Sequence, residues 1–224
     1  MKGHIFERMR RPTLRASAAA MPRKRVRKRG RPVGDRHARN SELLAAARHV
    51  IAREGYAGAS LRKVAKRAGF TTGAVTYYFA NKEAMVAGVA EALFNEFDGW
   101  LNSASVNDIR AIFEHFILWT KSDAGDAWLV SLQLLVHAGT DPALAALIQR
   151  RYAQFRRKLA GLLEKGQAEG VVRRDFRADL LADQISALAD GWAMMFPVEP
   201  ARFGRGRIEE LVNLAIAMLA PQSC

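Results

Sequence analysis

The chain has 224 residues, half of them hydrophobic, enough for a sizeable core in one large or two small domains. Its single cysteine, Cys224, excludes an intrachain disulfide and a cysteine-ligated zinc site, which fits a reducing cytoplasm. The net charge of +13 is polarised, with 21 basic and 4 acidic side chains in residues 1–82 against 14 and 18 in residues 83–224; the basic front points to a polyanion such as DNA, and no run of eighteen uncharged apolar residues exists to span a bilayer.

Residues 1–36 hold 13 basic side chains against Glu7 and Asp35 and few large apolar groups, so they are expected to form a disordered basic arm. Arg10-Arg11 followed by Leu14 faintly resembles a twin-arginine export signal, but ASAAAM is too short for an apolar region. Met21 offers a second start, which would make residues 1–20 an upstream extension. Within the arm, the RGRP run at residues 29–32 looks like an AT-hook core: glycine lets the backbone sink into a narrow minor groove, and Arg29 and Arg31 follow its negative potential. The competing reading is a generic basic tail with sequence-blind attraction.

From Arg39 to about Arg53, Leu43, Leu44, Ala47, Val50 and Ile51 recur at helical spacing, and Gly55 closes the run. Residues 60–82 then read as a helix-turn-helix. Ser60 is an N-cap; Leu61, Val64, Ala65 and Ala68 share one face and leave Arg62, Lys63, Lys66 and Arg67 outside; Gly69 supplies the left-handed turn. Thr72 is expected to cap the second helix, on which Val75 and Phe79 point inward while Gly73, Ala74 and Tyr77 point outward. Small outward residues permit close approach to a grooved surface, and the tyrosines and threonines offer hydroxyl donors, which suits the DNA major groove.

The succession VAKRAG, TTG, YYF and NKE resembles the N-terminal DNA-binding domain of tetracycline-repressor-type (TetR) regulators, over about residues 39–93. The resemblance implies that Arg62, Thr72, Gly73, Ala74 and Thr76 face base edges, while Tyr77, Tyr78 and Lys82 hold phosphates. One departure from the pattern is Thr76, where the family usually carries a tyrosine.

After Lys82, a periodic stretch through Met85, Val86, Val89, Leu93, Phe97 and Leu101 predicts a linking helix over residues 83–101. Beyond Val106, breaks near 122–125, 139–142, 170–174 and 197–206 predict helices at about 107–121, 126–138, 142–168, 177–195 and 206–219. The segment EGVVRRDFRADLLADQISALADGWAMMF also looks like the C-terminal half of choline-responsive and related TetR-type regulators. The expected fold is all-α: a three-helix helix-turn-helix bundle over residues 37–82, then a helical effector-binding and dimerisation domain over residues 83–224, about nine helices together.

Aromatic and thioether side chains gather in the central helices. Phe113, Phe116, Trp119, Trp128, Leu132, Trp192 and Phe196 are the expected wall of an effector pocket, with Ile117, Leu135, Met194 and Met195 beside them and His115, Gln133, His137, Tyr152 or Gln184 as polar closures. Ordinary core packing is the competing reading. Two histidines on different helices without a carboxylate partner fall short of a metal site, and no cofactor is implied. Leu181, Ile185 and Leu188 on one late helix, and Ile208, Leu211, Val212 and Ala215 on the next, form apolar stripes that the resemblance implies pair across a homodimer axis. Two recognition helices one DNA turn apart then read a palindrome.

No nucleophile elbow, phosphate loop or metal-binding helix motif appears, so an enzyme is not expected. The resemblance implies a cytoplasmic, sequence-specific DNA-binding transcriptional regulator, a repressor released by a small apolar or amphipathic effector. The alternative is an architectural, largely sequence-independent DNA-binding protein that uses the basic arm.

Overall fold

The computed structural model of the chain describes residues 33–105, 108–121, 126–196 and 198–222; the AT-hook-like run with Arg29 and Arg31, the break at 122–125 and Cys224 lie outside them. Among the described residues there are nine helices and no strand: α1 (Val33–Gly58), α2 (Leu61–Ala68), α3 (Thr72–Thr76), α4 (Lys82–Ser103), α5 (Ile109–Lys121), α6 (Asp126–Ala138), α7 (Pro142–Glu169), α8 (Ala178–Met195) and α9 (Arg205–Leu219). Helix α1 starts at Val33, so residues 33–36, read from composition as arm, are helical.

Local chemistry sets the boundaries. Gly55, at φ 74° and ψ 168°, interrupts α1 where the apolar period ends. Ser60 accepts from the Lys63 amide to open α2, and Gly69 closes it at φ 71° with its own amide directed back to Ala65 and Lys66 carbonyls. The cap of α3 is Thr71 rather than Thr72: its hydroxyl accepts from the Ala74 amide at 3.2 Å. Asn81 caps α4 through a 2.8 Å bond from the Ala84 amide, and Asp141 caps α7 ahead of Pro142, a residue suited to the first helical position.

Two apolar clusters hold the fold. The first joins Leu43, Ile51, Val64, Val75 and Phe79 of the helix-turn-helix to Met85, Val89 and Leu93 of α4, and extends to Trp128, Val130 and Leu134 of α6. The second gathers α5, the end of α7, α8 and α9 around Leu163, Ala182, Val212 and Ala215. Helix α4 is common ground, contributing Val86 and Ala90 to the first and Leu101 to the second. Its polar side is fastened to α7: Arg151 reaches Glu91 at 3.3 Å and Asp98 at 3.2 Å, and Lys158 reaches Asp98 at 3.1 Å.

Candidate DNA-binding surface and effector cavity

In α3 the inward face is Val75, fully buried, with Phe79 just beyond the helix; Thr72, Gly73, Thr76 and Tyr77 are exposed and Ala74 half-buried. A Cβ at Gly73 would meet nothing within 4 Å, so the helix presents a low, open surface there. Tyr77 is 69 % exposed, its ring edge-on to Tyr78 at 5.3 Å, with the Arg36 guanidinium 5.7 Å from its centroid. Arg62, Lys66 and Arg67 stand exposed on the outer side of α2. Lys63 on the same helix is also exposed, but it is paired with Glu54 and bonded to the Gly58 carbonyl.

Three residues assigned to DNA from the sequence have intramolecular duties. The Thr76 hydroxyl donates to the Gly73 carbonyl at 3.0 Å, closing a local bond within α3. Tyr78 is half-buried and packs against the first cluster. Lys82 donates to the Ala57 carbonyl at 3.2 Å and lies 4.2 Å over the Tyr56 ring, so it braces the end of α1 against the start of α4. The other face of this brace involves α6: the His137 ring stacks on Tyr56 at 3.4 Å and sits 3.9 Å from Asp141.

An apolar cavity of about 90 Å³ lies among α4, α5, α6, α7 and α8. Its wall includes Phe113, Phe116 and Trp128, as expected from the sequence. Trp119, Leu132, Trp192 and Phe196 are not on it, because packing takes each elsewhere: Phe196 lies edge-on to Phe203 at 4.9 Å, and Trp119 packs behind Phe97 and Phe116 with its indole N–H on Glu96 at 2.7 Å. The sequence reading missed the rings that α4 and α7 contribute, Phe94, Phe97, Trp100 and Phe155. The missed signal was the spacing of 94, 97 and 100, three aromatics on one face of a helix read only as a link. Neither His115 nor His137 lines the cavity; His115 packs at a tilt against Trp100, ring centroids 4.5 Å apart, and no group of three or more His, Cys, Asp or Glu that could hold a metal ion occurs among the described residues.

The polar features of the cavity are few. The Ser131 and Ser186 hydroxyls donate back to the Ala127 and Ala182 carbonyls. The buried Trp128 indole N–H has no hydrogen-bond partner among the described residues. Burial pushes the Asp190 carboxyl up to about 6, against the opposing pull of Arg156. Tyr152 is raised well above the ordinary phenol range by burial and by the nearby Asp190. An acidic residue one turn from Ser186 and Ala193, at the buried register of α8, was the legible sign of this group.

Late-helix residues expected at a dimer interface divide in two. Ile185, Val212 and Ala215 are 8, 2 and 2 % exposed and belong to the protomer's own core, so they are corrected to internal packing. Leu181, Leu188, Ile208 and Leu211 are half-buried. The apolar side chains left exposed are Leu180 and Met194 on α8 and Leu214 and Met218 on α9.

Comparison with known proteins fits this division of parts. Residues 43–89 match the model for bacterial regulatory proteins of the tetR family, and residues 107–221, half of the chain, match the C-terminal model of the BetI-type transcriptional repressors. The chain belongs to the TetR family. Among its TetR-type relatives is the HTH-type transcriptional repressor AcnR of Corynebacterium jeikeium, 23 % identical over 68 % of this chain and 78 % of that protein. A transcriptional regulator from Rhodococcus sp. Rha1 superimposes with a TM-score of 0.67 at 26 % identity, over 80 % of this chain and 95 % of that one. A regulator from Saccharomonospora viridis in complex with choline shares the fold, with a TM-score of 0.63 at 23 % identity over 80 % of this chain and 94 % of that one. This TetR-family chain is therefore a DNA-binding transcriptional repressor and not an enzyme, and the architectural reading is not favoured. Among the described residues no helix is long and apolar enough to cross a membrane.

Proposed function

We propose that two copies of this chain bind a palindromic operator in the cytoplasm and that a small amphipathic effector with a cationic end releases them. The observation that carries the reading is the double role of α4. Its first turn is braced to the helix-turn-helix by Lys82, while its residues from Ala90 to Leu101 wall the cavity. A ligand that alters the cavity therefore acts on the element that orients α3. Coupling of about 1–3 kcal/mol suffices for such a switch.

The outer surface of α2 and α3 suits the major groove: Arg62, Thr72, Gly73 and Ala74 approach base edges, and Tyr77 carries a hydroxyl for phosphate. Lys82 acts first as a brace and offers its remaining donors to the backbone. The exposed apolar side chains of the two late helices, Leu180 and Met194 on α8 and Leu214 and Met218 on α9, are the dimer face, because exposed apolar side chains bury best against their own copies. The cationic end follows from the cavity wall, where aromatic rings and one carboxylate, Asp190, line the same void; such a site favours an ammonium over a neutral isostere.

Selection of bound duplexes from a random DNA pool, followed by release assays, tests this reading. The expected result is a palindrome, recovered by a dimer in light scattering and released by alkylammonium compounds at pH 8. The contrast between choline and its uncharged isostere 3,3-dimethylbutan-1-ol reads the cationic part. Equal binding of the two would remove the counter-ion role of Asp190, and a monomer at micromolar concentration would remove the dimer.

A further inference from the structure

Glu96 sits on the side of α4 away from the α7 ion pairs, and its two oxygens face different parts of the molecule. One accepts from Arg48 Nη1 of α1 at 2.9 Å, inside the DNA-binding bundle. The other accepts from Trp119 Nε1 of α5 at 2.7 Å. Trp119 is buried, and its indole lies against Phe97 at 4.6 Å, Trp100 at 6.0 Å and Phe116 at 6.2 Å, all three on the cavity wall. An unbroken path thus runs from the wall rings through one indole and one carboxylate to the first helix of the DNA reader.

The ion pair at its end is partly exposed on both sides, 23 % and 39 %, and such a pair adds little to stability. Its geometry has more consequence. A carboxylate held by two directional donors on two helices cannot follow one without shifting on the other. On the side away from the void these rings lie directly against the Trp119 indole, so a movement of the wall reaches it. We infer that Glu96 is the positioning residue that transmits the state of the cavity wall to α1, with Trp119 as its sensor and Arg48 as its output. This rests on the reading of the cavity as the effector site, but the link itself can be tested without an effector.

The test has two arms on the full-length protein. In the first, indole nitrogens are labelled with 15N, and the Trp119 N–H resonance is followed in Arg48→Ala and Glu96→Gln. Both variants are expected to move it, Arg48→Ala through the shared Glu96 carboxylate; a Trp119 signal that ignores Arg48→Ala overturns the link. In the second, Phe116→Leu alters the wall, and affinity for a duplex recovered by the wild-type protein is measured in wild-type, Trp119→Phe and Glu96→Gln backgrounds. Trp119→Phe keeps a six-membered ring and removes the pyrrole half of the indole together with its N–H.

The expected shift from Phe116→Leu is about fivefold in the wild-type background, at the low end of allosteric coupling, and less than twofold in either other background. Equal shifts in all three backgrounds, or none in the wild type, overturn the proposal. Circular dichroism melts identify any variant that fails to fold, and Glu96→Asp, which keeps the charge on a shorter arm, then replaces Glu96→Gln. Choline is added as a probe in parallel. If it leaves the Trp119 resonance untouched while the mutational arms behave as expected, the effector reading fails for that cation and the link stands.

Discussion

The DNA reader and the cavity are made with opposite tolerances. Around α3 the core is built mainly of small and medium aliphatic side chains, Leu43, Ile51, Val64 and Val75, each with no exposed surface, with Phe79 beside them. Caps at Ser60, Thr71 and Asn81 fix the backbone within a residue or two of where it turns. Around the cavity the walls are large rings from several helices, in edge and tilted contacts at 5 to 6 Å, with a void of about 90 Å³ between them. A dense aliphatic core has one arrangement, whereas a ring-lined void has room for more. The first region therefore presents a fixed shape and the second responds to what enters it.

The severest way to break this contrast is Val75→Asp. Placing a carboxylate in a fully buried site of the reader is expected to cost about 4 kcal/mol or more. Because Val75 shares its apolar cluster with Trp128 and Leu134 of α6, thermal melts by circular dichroism should show one lowered transition. A preserved second transition from the cavity half would mean that the two regions fold independently.

A smaller and opposite effect is expected at the cavity. Asp190 is raised from 3.8 to about 6 by burial, so its contribution to stability is complete below about pH 4 and lost as pH rises through about 6. Asp190→Asn removes that loss. The variant should melt like the wild type near pH 4 and be more stable at pH 8 by on the order of 2 kcal/mol. The same change should weaken the binding of an ammonium probe, so gain of stability and loss of ligand go together. A variant no more stable at pH 8 would mean that the wall solvates this carboxylate after all.

How far each region was legible follows from the range of the interactions that make it. The reader is local chemistry. Ser60, Gly69, Val75 and Phe79 declare their roles within a few positions of sequence, and the structure puts each where its neighbours require. The error there was a single step, Thr72 for Thr71 as cap, since two adjacent threonines satisfy the same rule. The cavity depends on which helices meet. Phe116 and Trp119 are one turn apart on α5, yet one faces the void and the other turns behind it to Glu96. On α9, Val212 and Leu214 are two residues apart and equally apolar, but one is core and the other open surface. Periodicity gives a stripe about 100° wide and not the depth of each residue within it.

Thr71→Ala sharpens the claim that caps hold the reader. The substitution removes the acceptor of the Ala74 amide on an exposed turn, and a loss of about 1 kcal/mol is expected in denaturant melts, with no effect on ligand affinity. An unchanged midpoint would mean that packing of Val75 alone sets the start of α3.

The smallest expected effect is at Thr76, and it bears on how the reader meets DNA. Its hydroxyl is exposed but already donates to the Gly73 carbonyl, so a phosphate or base would have to compete with a bond formed before docking. Thr76→Val keeps the shape and removes that hydroxyl. Stability should change by less than about 0.5 kcal/mol, as for most exposed substitutions, and affinity for the selected duplex by less than about twofold. A hydroxyl that turned to the DNA would instead lose a hydrogen bond on mutation, about 1 kcal/mol, or roughly fivefold in affinity. The size of this one change therefore decides whether α3 reads DNA at Thr76 through its hydroxyl, or only through its shape.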